Sequence, residues 1–180
     1  MDKLLNVTII ILEIIGLFIT YRQTGWKMFI YYTILSNCLA LIASIFYLMN
    51  YPMTSVLRYT ATCMLAMTLL ISLFVLSPET GSVKVQMIDG NGLYHHMLCP
   101  ILSLISYVFF EQHSNLWMFP VIVSLVYGLL MIYLNYIGMM AGPYHFFEIE
   151  KQGIKKTAIW VAVLVFIISS ISLGVSAIAR

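Results

Sequence analysis

Three polar side chains in one apolar stretch have the types and spacing to share one face of a helix and to take part in chemistry there. Thr33, Ser36 and Asn37 stand at i, i+3 and i+4, so a helix places two hydroxyls and an amide on one face. A threonine hydroxyl becomes a nucleophile when a base removes its proton. An amide N–H can stabilise the oxyanion that forms when such a nucleophile attacks a carbonyl group. Spacing alone favours a plainer role in helix packing, because small polar residues line many contacts between membrane helices.

Two adjacent histidines, His95 and His96, stand five and four residues before Pro100, respectively, in another apolar stretch. Neighbouring residues point about 100° apart on a helix, so this pair is unsuited to chelating one metal ion, and we expect no metal. Histidine is a natural proton acceptor near neutral pH. The pair therefore predicts a general base, with an interfacial histidine bonded to lipid or to a loop as the alternative. Pro100 predicts a kink or an irregular first turn.

Glu13 lies near the middle of the first apolar stretch. A carboxylate at that depth costs several kcal/mol unless it is protonated, paired or hydrated. We expect it to face the interior of the bundle and to have a hydrogen-bonding partner there, with Arg22 and Arg58 as candidates. It would act either as a clamp between helices or as the group that orients a histidine.

Helices in a membrane must position these groups. Of the 180 residues, 62% are hydrophobic and 9% are charged, against roughly 45–50% and 25% in soluble domains. Seven acids and nine bases cannot coat a soluble globule, and a net charge of +2 is too small to suggest a nucleic-acid partner. The chain is predicted to be all-α, a polytopic bundle of six transmembrane helices forming one domain over 1–180. The predicted spans are 4–20, 29–49, 56–76, 93–110, 116–140 and 157–177.

The connections carry the remaining signals. Residues 77–91 form a polar loop, which we expect to be re-entrant or interfacial and to gate the entry of water. Three widely spaced cysteines predict free thiols. The Lys and Arg residues divide six against three, which would place both termini outside the cytoplasm. The six are Arg22, Lys27, Lys84, Lys151, Lys155 and Lys156, and the three are Lys3, Arg58 and Arg180.

Three motifs occur in an order that resembles a known family. They are residues 31–37 (YYTILSN), 95–100 (HHMLCP) and 143–147 (PYHFF). The set resembles a bacterial branch of small multi-helix membrane proteins, similar to the androgen-induced membrane hydrolases of animals. Members of that family hydrolyse fatty acid esters of hydroxy fatty acids with an intramembrane threonine nucleophile and a histidine. The resemblance maps the threonine onto Thr33, and by the bacterial spacing it maps the histidine onto His96.

The animal motif places its histidine one residue further from the proline, which leaves His95 as the alternative base. Two departures from the family pattern put substrate preference in question, because Tyr-Pro-Phe becomes residues 144–146 (YHF) and Asp-Trp becomes residues 106–107 (SY). The resemblance implies an intramembrane lipid esterase without a cofactor, in the cell membrane of a bacterium, with its substrate drawn from the bilayer. Asn37, Ser36, His95 and Glu13 are the expected supporting residues. The oligomeric state stays open.

Two other functions remain at this point. A related branch of six-helix lipid acyltransferases uses a cysteine, and Cys99 lies three residues from His96. Alternatively, Glu13 and the histidines form a proton relay in a lipid-binding or transport protein without enzymatic activity. Thiol alkylation separates the acyltransferase from the esterase. A fluorophosphonate probe separates the esterase from the lipid-binding protein, because only an activated hydroxyl should react.

Overall fold

The computed structural model describes residues 1–141 and 143–179, and these residues form helices without a strand. The helices are α1 (Asp2–Thr24), α2 (Tyr32–Leu48), α3 (Thr54–Ile71), α4 (Ser77–Thr80), α5 (Val83–Met87), α6 (Cys99–Phe110), α7 (Met118–Tyr136), α8 (Ile149–Gln152) and α9 (Ile154–Ile178). Short 3₁₀ helices cover Gly25–Ile30 and His145–Phe147, and wider π-helical turns cover Ser72–Leu76 and Leu93–Leu98. The predicted all-α class is confirmed.

Five helical segments are long and apolar enough to cross a membrane, which makes the chain a multi-pass membrane protein. They are Asp2–Ile30, Thr54–Thr80, Leu93–Phe110, Met118–Tyr136 and Ile154–Ile178. The remaining predicted span, over 29–49, corresponds to the apolar helix α2, which has only 17 residues. The predicted count of six crossings therefore depends on α2.

The bundle buries polar side chains and exposes large apolar ones, as a lipid solvent requires. Helix α3 lies at its centre and packs against α2, α6, α7 and α9. Arg58 and Tyr59 on α3 are among the largest fully buried side chains. Large aromatic rings cover the outside, including Phe18, Phe74, Phe109 and Phe166.

The segment that carries both histidines is not a regular α-helix. Leu93–Leu98 forms a π-helical turn, and α6 follows with Pro100 in its first turn. A proline has no N–H to donate to the preceding turn and its ring crowds the carbonyl there, so a wider turn suits this position. The predicted irregularity before Pro100 is confirmed.

Arg58 is not a partner of Glu13. Its Nε lies 2.8 Å from Glu111 Oε2 and its Nη2 lies 2.9 Å from Glu111 Oε1, so the guanidinium is engaged in a bidentate ion pair inside the bundle. Ser44 accepts a third Arg58 N–H at 3.1 Å, and Ser106 donates to Glu111 at 2.6 Å. Arg22, the other expected partner, is exposed. Both candidate partners of Glu13 were therefore wrong, because Arg58 pairs with Glu111 and Arg22 lies on the surface.

Candidate functional site

Thr33 lies in the first turn of α2 and faces inward. Its hydroxyl is 3.3 Å from the Tyr144 hydroxyl, and its backbone N–H donates to the same Tyr144 oxygen at 3.4 Å. Tyr144 belongs to the segment between α7 and α8, and its ring stacks on Phe146. The hydroxyl that sequence analysis singled out is thus paired with a phenol, not with a histidine.

Thr33 and Tyr144 line a cavity of about 50 Å³ between α2, α3, α7 and α9. Its wall is otherwise mainly apolar and aromatic, with contributions from Tyr32, Met67, Ile71, Tyr127, Phe147, Leu164 and Ile168. Typical ligand pockets measure roughly 300–1,000 Å³. A lipid chain would therefore have to displace side chains or part the helices to enter this cavity.

Ser36 and Asn37, the other two members of the predicted polar face, donate to backbone carbonyls. Ser36 Oγ donates to Thr33 O at 2.8 Å and lies 3.1 Å from Thr68 Oγ1. Asn37 Nδ2 donates to Thr33 O at 2.6 Å and to His95 O at 3.4 Å. Asn37 therefore ties the Thr33 turn to the histidine segment, while its buried Oδ1 has no hydrogen-bond partner among the described residues.

His95 points into the bundle and is only 1% exposed. Its Nε2 lies 3.0 Å from Thr20 Oγ1, and its Nδ1 lies 3.7 Å from Glu13 Oε2. Glu13 is fully buried, which confirms that it faces the interior. The expected hydrogen bond of Glu13 is not formed within the described part of the chain, where the His95 ring approaches the carboxylate at that longer distance.

His96 turns away from His95, as expected for neighbouring residues. Its Nδ1 lies 2.7 Å from the backbone oxygen of Gln86, so this ring nitrogen donates to α5. A protonated Nδ1 leaves Nε2 as the basic nitrogen of the neutral ring. Neither histidine ring makes a hydrogen bond to Thr33 in the described part of the chain.

The predicted residues thus fall into two neighbouring groups. Thr33, Ser36 and Asn37 surround the first turn of α2, while His95 meets Glu13 at α1, and the Asn37 side chain joins the two groups. His96 belongs to neither group because its ring bonds to the loop.

Sequence reasoning missed two hydroxyls that the tertiary structure places here, on Thr20 and Tyr144. Thr20 carries a signal that could have been found, because Glu13, Gly16 and Thr20 share a helical face at i, i+3 and i+7. Tyr144 lies in the third family-like motif, but nothing in the sequence places it against Thr33.

The search of protein-family models, curated proteins and solved structures finds no match to this chain. The family resemblance of the three motifs therefore stays a prediction. Within residues 1–141 and 143–179, no group of three or more His, Cys, Asp or Glu side chains could hold a metal ion. Cys38, Cys63 and Cys99 are free thiols, and Cys99 lies beside the Glu13 carboxylate.

Proposed function

We propose that this chain is an intramembrane lipid esterase that hydrolyses fatty acyl esters, such as fatty acid esters of hydroxy fatty acids. Thr33 is the nucleophile, and a histidine of the His95–His96 pair is the base. The position of Thr33 carries the proposal, because its hydroxyl stands at the wall of a largely apolar cavity inside the bundle. A substrate that stays in the bilayer would place its chain among the apolar side chains and its carbonyl beside Thr33.

The reaction needs no cofactor. The histidine takes the proton of the threonine hydroxyl, the alkoxide attacks the ester carbonyl, and the histidine returns the proton to the leaving alcohol. In the second step the histidine takes a proton from water, and the hydroxide attacks the carbonyl of the acyl-enzyme. The fatty acid is released, and the histidine returns the proton to the threonine oxygen. The family resemblance implies His96, whereas burial and the Asn37 bridge favour His95. Catalytic hydrogen bonds often tighten only when substrate binds, so the separation of the histidines from Thr33 is compatible with this role.

We place the protein in the cell membrane of a bacterium with six crossings. At about 1.5 Å per residue, the 17 residues of α2 span about 26 Å, which is close to the roughly 30 Å of a hydrocarbon core. With six crossings, both termini lie on one side, which the Lys and Arg distribution assigns to the outside.

Hydrolysis of a panel of long-chain fatty esters by the purified protein tests the proposal. Thr33→Ala and substitution of the catalytic histidine, His96→Ala or His95→Ala, should abolish turnover. Thr33→Ser should retain part of it, because the hydroxyl survives. Thr60→Ala is the matched control, since Thr60 is a buried threonine whose hydroxyl, among the described residues, bonds only to the Val56 carbonyl of its own helix. Loss of one hydrogen bond costs about 1 kcal/mol, so these threonine variants should still fold.

Two outcomes would redirect the assignment. Full activity in Thr33→Ala together with complete loss in Cys99→Ala would indicate the cysteine-dependent acyltransferase. No turnover by wild type on any ester would favour the lipid-binding or transport protein. The approach of Glu13 to His95 specifically supports that last alternative, because an acid and a base at membrane depth can relay protons.

A further inference from the structure

Four buried polar atoms on three neighbouring side chains make no hydrogen bond to any described residue. They are both carboxylate oxygens of Glu13, Nδ1 of His95 and Oδ1 of Asn37. The three residues are at most 1% exposed, so bulk water does not reach them. Native structures leave few buried polar atoms unpaired, because each one has given up its hydrogen bonds to water. The chemistry of the four atoms therefore indicates what could satisfy them.

The hydrogen bonds of Thr20 assign the tautomer of His95. Thr20 Oγ1 donates its only proton to the Gly16 carbonyl oxygen at 2.9 Å, so it must accept from His95 Nε2, which lies 3.0 Å away. Thr20 Oγ1 also accepts from Asn91 Nδ2 at 2.9 Å. With its proton on Nε2, the neutral imidazole presents an unprotonated Nδ1 to Glu13.

All four unpaired atoms are consequently acceptors. Asn37 uses its amide protons on backbone carbonyls, one of them the carbonyl of His95 at 3.4 Å, which leaves its Oδ1. Among the described residues, no lysine or arginine pairs with Glu13, since Arg58 is bonded to Glu111. A carboxylate inside a membrane bundle needs a positive charge beside it. The cluster thus has the donor atoms and the net charge to bind one positive ion.

The spacing within the cluster suits a metal ion better than a shared proton. Glu13 Oε2 and His95 Nδ1 are 3.7 Å apart, which is too long for a hydrogen bond. Oxygen ligands lie about 2.3–2.6 Å from Ca²⁺, and Na⁺ has nearly the same ionic radius. Two ligands that subtend about 90–110° at such an ion are about 3.3–4.3 Å apart. One carboxylate balances a monovalent ion, and the described residues hold no group of three or more His, Cys, Asp or Glu side chains that would suit zinc.

We propose that Glu13, His95 and Asn37 form an internal binding site for a sodium ion. Glu13 supplies the charge, His95 Nδ1 and Asn37 Oδ1 supply neutral ligands, and water completes the shell. Each ligand comes from a different segment, α1, the turn Leu93–Leu98 or α2, so the ion would hold the three together. The inference does not depend on the proposed ester hydrolysis. It engages His95 and would leave His96 as the base of that reaction.

Thermal unfolding of the purified protein in detergent tests the site without a substrate. We expect the melting temperature to rise when sodium chloride replaces choline chloride at constant ionic strength and pH, by about 3–6 °C once sodium exceeds its Kd tenfold. Radiolabelled sodium should bind with a matching Kd. Glu13→Gln should abolish both effects, and its melting temperature in choline should be at least that of wild type, because the uncompensated charge is gone.

Two asparagine variants provide the matched comparison. Asn37→Ala should weaken sodium binding at least about 10-fold, as the loss of even an indirect partner of a bound metal does. Asn135 is also a buried amide whose Oδ1 has no partner among the described residues, and it donates to the Met140 carbonyl at 3.2 Å. Asn135→Ala should therefore leave the sodium response as in wild type.

Equal melting temperatures in sodium and choline, without binding of radiolabelled sodium, would overturn the inference. Stabilisation by acidification alone would do so as well, because it would put a proton in place of the ion. A sodium response that persists in Glu13→Gln would show that the ion binds elsewhere. If Glu13→Gln fails to fold, sodium binding by wild type and by Asn37→Ala still decides the question. No outcome involves hydrolysis, so failure of the proposed function would leave the sodium site untouched.

Discussion

Substituting a charged residue inside the bundle should change the free energy of unfolding much more than substituting one on the surface. Arg58 and Glu111 are each 1% exposed at the side chain and satisfy each other with two hydrogen bonds. Removing one member of a buried pair leaves an uncompensated charge, which costs about 3–5 kcal/mol. The pair therefore supports the fold only as a unit.

Arg58→Met should accordingly lower the melting temperature in detergent steeply, because Glu111 loses its counter-charge. The double variant Arg58→Met with Glu111→Gln should recover most of the loss, since it removes both charges. Lys151→Met is the control, because Lys151 forms an exposed pair with Glu148. A single Arg58 variant that melts like wild type would contradict this account.

Gly16 on α1 lies in close contact with the segment that carries His95. A methyl group there would meet His95 Cε1 and Tyr94 Cβ at 2.8 Å, and the backbone-anchored Tyr94 Cβ has little freedom to move. Gly16→Ala should cost about 1–3 kcal/mol of stability, the usual range for overpacking. It should also displace His95, so the proposed ester hydrolysis should fall together with stability.

Gly174→Ala is the comparison for Gly16→Ala. Gly174 also lies inside a helix, but nothing stands within 4 Å of an added Cβ. Alanine should therefore be neutral or raise stability by up to about 1 kcal/mol through helix propensity. Equal melting temperatures for the two alanine variants would contradict the close packing of His95 on α1.

The segment between α7 and α8 supplies the hydroxyl group that contacts Thr33. It places Tyr144 between Thr33 and the aromatic rings of Phe146 and Phe147. Burial raises the pKa of the Tyr144 hydroxyl, against which its hydrogen bonds with Thr33 act. The folded state therefore holds this proton more tightly than the unfolded chain does.

Because the pKa of Tyr144 is higher in the folded state than in the unfolded chain, the free energy of unfolding falls as the pH rises. The stabilisation is fully present below the unfolded pKa of about 10 and is lost as pH rises through the higher folded pKa. Wild type should thus lose stability above pH 10, by at most about 1.4 kcal/mol per pH unit from this group. Tyr144→Phe should lack that part of the loss, so its melting temperature should decline less between pH 9 and 11.

Tyr31→Phe serves as the control for Tyr144→Phe. The two rings meet edge to face with centroids 6.0 Å apart, so both variants disturb the same aromatic group. The Tyr31 hydroxyl makes no hydrogen bond to any other described residue. Parallel pH curves for Tyr144→Phe and wild type would contradict the burial of Tyr144 in solution.

For the whole molecule, the number of crossings decides where the ends lie. Six crossings place both termini on one side, whereas five would separate them. Reporter fusions at the two ends should therefore report the same compartment, and the Lys and Arg distribution predicts the outside. A cysteine introduced at Lys84 in α5, between the third and fourth predicted spans, should react only from the cytoplasmic side. Termini in opposite compartments would show that α2 does not cross.

The sequence by itself determined the class of the fold. In lipid, a long apolar run with few charges satisfies its backbone hydrogen bonds by forming a helix. Five of the predicted spans accordingly correspond to observed apolar helical segments. It also determined that Glu13 faces inward, because a carboxylate on the lipid face would be too costly. These conclusions need only local composition and periodicity.

Partner choice was decided by the tertiary structure alone. Arg58 binds Glu111, 53 positions away, and Thr33 contacts Tyr144, 111 positions away. His95 meets Thr20 across 75 positions because Gly16 allows the ring to approach α1. Local patterns predict which groups need partners, but several candidates satisfy each need equally well. The packing of the helices then fixes which atoms come within hydrogen-bonding distance.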